Sequence, residues 1–435
     1  HFGWCHRAKS IPIRFEKSHR EDHSRRKAMK MWNLFFLLTL SLPLSAFSGS
    51  DFPESQASFM KALKSGDESG ICDAMESLAE FDGGGTALIL IEKGMSHPSL
   101  MVHEEALRIA RGLKSEEAHD RIVQIVRRSR RFETQIDAMR VMQSWPKDES
   151  RKEFIARLED KTEWIVTFAV RMLRDHPHSD VVSALIKLLE KADGRLREDI
   201  SDILENFTGE TFPLDSSGWK IWWENQKKDW KPSPNISESD MSEEKPLTTA
   251  VKDGLYGEIA SDRVVFLLDI SGSMLASTTV GDSRMEIARN QLKRVLQDGL
   301  TTKSKFTVVA FSEDLQVMSP KLVKSKGSLI KKAMTFVDNL EAGGETNTYG
   351  ALQNAFSHRE VDTIYLLSDG SPTAGKETSS LLIEEAVSTW NRYRGVRVHC
   401  IGFFAGTAKN QDEKRAGEFL RRISSRNFGR YTEIR

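Results

Sequence analysis

Residues 263–274, RVVFLLDISGSM, constrain the fold more than any other part of the chain. A mostly apolar run suited to a strand passes directly into an aspartate and two serines on alternate positions, with a glycine between the serines. An apolar run without polar alternation predicts a strand buried on both faces, as in a parallel sheet covered by helices. Such a strand gains nothing from ending in three oxygen-bearing side chains. The oxygens call for something to hold.

The sequence after residue 250 repeats this theme. Apolar runs at 264–268, 306–311, 363–367 and 396–403 alternate with amphipathic stretches at 284–297, 329–340, 349–356, 379–393 and 413–424. That order predicts a doubly wound, mainly parallel, Rossmann-like α/β domain over 251–435. The segment LQVMSPKLV adds a short antiparallel hairpin, and the terminal GRYTEIR an edge strand. Ligands of open α/β sheets collect at the carboxyl ends of the strands. Three stretches place oxygens there: Asp269, Ser271 and Ser273 after the first strand, Asp369 in TIYLLSDGSP, and Thr346 behind the Gly-Gly turn of LEAGGETNTYGAL. Two carboxylates and three hydroxyls, without His or Cys, form a hard-oxygen set suited to Mg²⁺ and, less specifically, to Mn²⁺ or Ca²⁺. Gly272 lets the loop bend tightly enough to turn residues 269, 271 and 273 to one side.

DISGSM, GGETNT and LLSDG together resemble the three parts of the metal-ion-dependent adhesion site of von Willebrand factor type A domains, in that family's order and spacing. The resemblance covers residues 261–435. It implies that Asp269, Ser271, Ser273, Thr346 and Asp369 hold a metal ion with a position open to a partner's Asp or Glu. Glu345 departs from the pattern, since a small or neutral residue is more usual before the threonine. Its charge would weaken recruitment of an acidic partner.

From residue 52 to 207 the apolar positions keep helical spacing. Ala106, Ala138, Ala169 and Ile200 recur at separations of 32, 31 and 31 residues, and Ile122, Phe154 and Leu185 keep step, as do Val126, Leu158 and Leu189. A period of this length with two helices per unit predicts stacked helical hairpins, an α-solenoid resembling HEAT repeats, with a degenerate start near SGICDAMESLAEF. Such arrays offer extended surfaces to a further protein partner. Residues 208–230 bring Trp219, Trp222 and Trp223 onto one helical face, expected to close the end of the stack. Residues 231–250, KPSPNISESDMSEEKPLTTA, read as a flexible linker between two domains.

The first 48 residues form an upstream segment and signal peptide: a basic flank of Arg25, Arg26, Lys27 and Lys30, an apolar run at 32–44, and Ala46 and Ser48 at cleavage spacing. Translation is expected to start at Met29 or Met31. The apolar run falls short of the roughly 20 residues that span a bilayer, so no stable membrane span is expected after cleavage. Lys+Arg and Asp+Glu are both 63. Removing 1–48 takes nine basic and three acidic residues and leaves 54 against 60, which disfavours nucleic acid as a partner. Cys72 and Cys400 then remain, too few for a disulfide framework or a zinc site, and are either free thiols or one long-range bridge.

The resulting expectation is an exported protein, periplasmic or extracellular, that binds an acidic partner through a metal and is not an enzyme. The order of its parts is similar to that of exported bacterial proteins. Two alternatives stand beside it. One is a non-catalytic subunit working with a separate ATPase, since the chain has no Gly-x-x-x-x-Gly-Lys-Ser/Thr of its own. The other is a metal-dependent hydrolase, for which His358 and His399 are the nearest bases in sequence.

Overall fold

In a computed structural model the described residues are 52–212, 216–233, 256–257, 259–278, 281–404 and 411–434. The signal segment and residues 234–250 of the expected linker lie outside them. Eleven helices come first among the described residues: α1 (Phe52–Ser65), α2 (Glu68–Ala79), α3 (Gly84–Ile89, followed by a π turn at Leu90–Gly94), α4 (Leu100–Gly112), α5 (Glu116–Arg128), α6 (Phe132–Met142), α7 (Lys147–Arg157), α8 (Glu163–Leu173), α9 (Ser179–Leu189), α10 (Arg195–Thr208) and α11 (Ser216–Gln226). The repeating positions explain their packing. Ala106, Ala138, Ala169 and Ile200 lie on α4, α6, α8 and α10, and Ile122, Phe154 and Leu185 on the alternate helices α5, α7 and α9; all seven are fully buried. Each hairpin thus covers the apolar face of the next. On α11, Trp219 and Trp223 are buried, and the Trp223 indole donates to Ser183 Oγ on α9 at 2.9 Å.

The remainder forms the α/β layer: β1 (Arg263–Asp269), α12 (Arg284–Arg294), β2 (Lys305–Phe311), β3 (Leu315–Val317), β4 (Val323–Lys324), α13 (Gly327–Asp338), α14 (Thr348–Ser357), β5 (Thr363–Ser368), α15 (Ser380–Asn391), β6 (Arg397–Phe403), α16 (Gln411–Arg426) and β7 (Tyr431–Ile434). The sheet order is β3-β2-β1-β5-β6-β7, with β4 also paired to β2. All pairings are parallel except those of β3 and β4, the expected hairpin, which run antiparallel to β2. β1 lies at the centre, and every residue from Val264 to Asp269 is buried. Its side chains feed two cores, Val264, Phe266 and Leu268 on one face and Val265 and Leu267 on the other. The helix after β1 starts cleanly because Ser283 and Glu286 form a reciprocal capping box.

The two parts are not held by a linker alone, since residues 58–435 form one compact unit. Helices α6, α8 and α10 grip the amino end of the sheet. Arg397, the first residue of β6, donates to Asp199 and Asp202 of α10 at 2.7 Å each, and Glu198 lies at 3.1 Å. Arg195 and Arg171 approach the same Asp199 at 3.3 and 3.4 Å. Beside them Arg195 donates to the Gly395 carbonyl at 2.5 Å, Tyr393 donates to Asp137 of α6 at 2.7 Å, and Arg171 stacks 3.5 Å over the Phe428 ring. Gly395 has φ +56°, and a β-carbon there would stand 2.7 Å from the Arg171 guanidinium. Only glycine suits both demands. Asp199 is buried, which would by itself raise its pKa, but the three arginines outweigh burial and hold the carboxyl well below its ordinary value.

Candidate metal centre

At the opposite end of the sheet the chain leaves β1 and turns at once into a short 3₁₀ turn, Gly272–Leu275. Backbone bonds from Gly272 N–H to the Gly344 carbonyl (3.0 Å) and from Gly343 N–H to the Ile270 carbonyl (2.8 Å) tie this loop to the Gly-Gly turn. Gly344 sits at φ +79°, where a β-carbon would press to 2.9 Å from the Glu313 carboxylate. Beyond it, the Thr346 N–H donates to Thr373 Oγ1 at 2.9 Å and the Thr346 carbonyl accepts from the Thr373 N–H at 3.0 Å, fastening the threonine to the loop after β5. Three loops far apart in sequence are locked together by main-chain bonds.

The five sequence-predicted side chains meet here. Ser271 Oγ lies 3.1 Å from Ser273 Oγ, and Ser273 donates to Asp369 Oδ1 at 2.7 Å. Thr346 closes the set: a β-carbon placed on Gly370 would be 3.8 Å from both Ser273 Oγ and Thr346 Oγ1. Asp269 accepts the Ser271 N–H at 2.8 Å on one oxygen and the Ser368 hydroxyl at 2.5 Å on the other. It is fully buried, and among the described residues it has no cationic side chain in contact. Burial and the neighbouring Asp369 push its carboxyl up to about 6, against the pull of those hydrogen bonds.

Two participants escape sequence reasoning. Ser368 stands in LLSDG, and its hydroxyl fixes the second Asp269 oxygen. Arg284, the first residue of α12, ion-pairs with Asp369 Oδ2 at 2.5 Å and with Glu413 at 2.8 Å. No spacing rule links positions 85 residues apart. Glu345, the departure from the family pattern, is exposed. His358 caps the end of α14 near the amino end of β5, and His399 lies within β6, stacked 4.7 Å from the Tyr365 ring. Both point to structural places away from the three loops.

Residues 264–371 match the family model of the von Willebrand factor type A domain. The C-terminal part of this chain is a von Willebrand factor type A domain. Human von Willebrand factor A domain-containing protein 3A is 30% identical over 177 residues, which are 41% of this chain and 14% of that protein. The chain therefore spans about a seventh of the length of that curated relative. Among solved structures, a von Willebrand factor type A protein from Catenulispora acidiphila is 24% identical, covering 40% of this chain and 39% of its own, with a TM-score of 0.32. Proximal thread matrix protein 1 from the mussel byssus, solved with a zinc-occupied MIDAS motif, is 21% identical, covers 39% of this chain and 40% of its own, and has a TM-score of 0.29.

The donor set of the type A domain fits a hard divalent cation. All its ligand candidates are oxygens, and a buried carboxylate is left short of positive charge. Among the described residues no group of three or more His, Cys, Asp or Glu is arranged to hold a metal. Among the described residues Cys72 and Cys400 are free thiols. Among the described residues no helix is long and apolar enough to cross a membrane.

Proposed function

We propose that the type A domain is a metal-dependent protein-binding module, with Asp269, Ser271, Ser273, Thr346 and Asp369 holding Mg²⁺ for an Asp or Glu of a partner protein. The observation that carries this reading is Asp269: a fully buried carboxylate, bonded on both oxygens to hydroxyl and amide donors, with no cation supplied by the described residues. When bound, a divalent ion supplies an electrophilic centre with a coordination position for an outside carboxylate. The protein's own part is orientation. Ser368 and the Ser271 amide hold Asp269 in one rotamer, and Ser273 aligns Asp369. Arg284 withdraws charge from Asp369, so the site offers little more than one full negative charge to the ion. That leaves a bound cation electron-poor and receptive to a further anion.

The basic and apolar segment before residue 48 supports export to the periplasm or beyond, where such a module would act as an adhesion or scaffold component. The test is calorimetric titration of Mg²⁺ and Mn²⁺ into the whole chain, beside the double variant Asp269→Ala, Ser271→Ala. The whole chain is the proper sample because a fragment lacking the helices would expose Arg397 and the residues around it. Saturable heat that disappears in the variant, with an acidic peptide captured only when metal is present, is the expected result. Equal heats in the two proteins, or none in either, would sink the reading.

A further inference from the structure

The helical half carries a charged groove that the metal site does not explain. Five cationic side chains, Lys93, Arg121, Arg128, Arg130 and Arg131, line a space of about 600 Å³ formed by the π turn after α3, by α5 and by the start of α6, with one lining carboxylate, Glu92. On α5 Arg127 is neutralised by Glu153, but the cations that converge on the groove have no close partner among the described residues. Among the described residues Lys93, Arg121, Arg128 and Arg130 have no ion-pair partner, and Arg131 comes only within 3.9 Å of Glu133.

The floor of the groove adds an independent feature. α6 begins there with Arg131 at its N-cap and no side chain capping its first amides, so the positive end of the helix is open. Thr134, in the first turn, lines the same groove and is 1% exposed, yet its hydroxyl has no hydrogen-bond partner. A buried hydroxyl without a partner is costly in desolvation unless something satisfies it. Free helix amides, an unsatisfied hydroxyl and guanidinium forks are complementary to a tetrahedral oxyanion. Glu133 in the first turn opposes a single weak anion, which makes several anionic groups on one molecule the better match.

We infer that this groove binds a compact ligand bearing two or more phosphate or sulfate groups, one of them seated on the α6 amino terminus and the Thr134 hydroxyl. The site is separate from the metal centre and stands or falls without it. Titration of the whole chain in metal-free buffer with inorganic tripolyphosphate, and in parallel with sucrose octasulfate, tests it. Micromolar binding of either, weakened at least tenfold by Arg121→Gln with Arg128→Gln and several-fold by the near-isosteric Thr134→Val, is expected. Binding of one probe alone identifies the phosphate or the sulfate source. No binding of either probe overturns the proposal. So does binding that ignores Thr134→Val, which would reveal only diffuse surface charge, or tighter binding of a poly-glutamate peptide, which would assign the groove to an acidic protein. Asp269→Ala should leave these affinities unchanged, and unaltered thermal unfolding of the arginine variants shows that they fold.

Discussion

Asp199 at the amino end of the sheet and Asp269 at its carboxyl end are both out of reach of water. The first is met by three arginines from two parts of the chain. The second is met by a hydroxyl and an amide, and its nearest charged neighbour is another carboxylate. Burial acts on both in the same sense, and the difference lies in what surrounds them. A buried acid furnished with cations is a structural joint. One met only by hydrogen-bond donors is costly to keep charged.

Neutralising or unpairing these groups should separate the two roles. The largest effect is expected from Arg397→Leu, which strips three acidic side chains of their shared partner and should cost about 3–5 kcal/mol of stability, read by urea unfolding. A loss below about 1 kcal/mol would mean that the joint contributes little. Next comes the same substitution at the two aspartates. In metal-free buffer at pH 7.5, Asp199→Asn should destabilise by ~2–3 kcal/mol, whereas Asp269→Asn should stabilise by up to ~3 kcal/mol, the equivalent of lifting a carboxyl from 3.8 to about 6. Effects of the same sign would break the comparison.

The pH dependence follows with opposed signs. Asp199 has a folded pKa below its unfolded one, so its stabilisation is full above about pH 4 and lost as pH falls further. Asp269 and Asp137 are raised to about 6, Asp137 by burial against Arg140 and Tyr393. Their cost is absent below about pH 4 and grows as pH rises to about 6. Four buried histidines, His103, His176, His358 and His399, have lowered pKa values and cost stability as pH falls below 6.5, so the aspartate effect is read as a difference. In metal-free buffer the gain in unfolding temperature from Asp269→Asn should be largest near pH 7.5 and vanish at about pH 4, and calorimetric scans of variant and parent across that range decide it. Smallest is the effect of Arg284→Gln. Freeing Asp369 of its internal cation should tighten Mg²⁺ binding roughly three- to tenfold, about 1 kcal/mol, and unchanged affinity would show that the pair is only structural.

What the sequence discloses follows from how far apart the partners lie. The strands of the type A domain are legible because each apolar run carries its own evidence, and the repeats because buried positions recur every 31 or 32 residues. Asp269, Ser271, Ser273 and Asp369 are legible because they end strands that have no other use for oxygen, and Thr346 because it stands behind a Gly-Gly turn just before a helix. Arg284 is not, since nothing near it in RMEIARNQ differs from an ordinary surface helix start. The joint is equally hidden: Arg397 stands inside the apolar run 396–403 with nothing beside it to mark a partner, while Asp199 lies 198 positions earlier in a helix rich in acids. Ion pairs leave no periodic trace. The sequence therefore does not disclose the ion pairs that join the helices to the sheet within residues 58–435.

That joint also bears on the order in which the protein is made. The helices form from contacts between near neighbours and leave the ribosome first, whereas β1 must wait 99 residues for β5, a slow closure by comparison. Until residue 397 emerges, Glu198 and Asp202 on α10 lack their cationic partner and Asp199 has only Arg171 and Arg195. β6 and the residue just before β7 then deliver Arg397 and Arg430 to those acids. The helical half thus serves as a mould for the half that follows, and a chain cut short before β6 would keep its acidic face open.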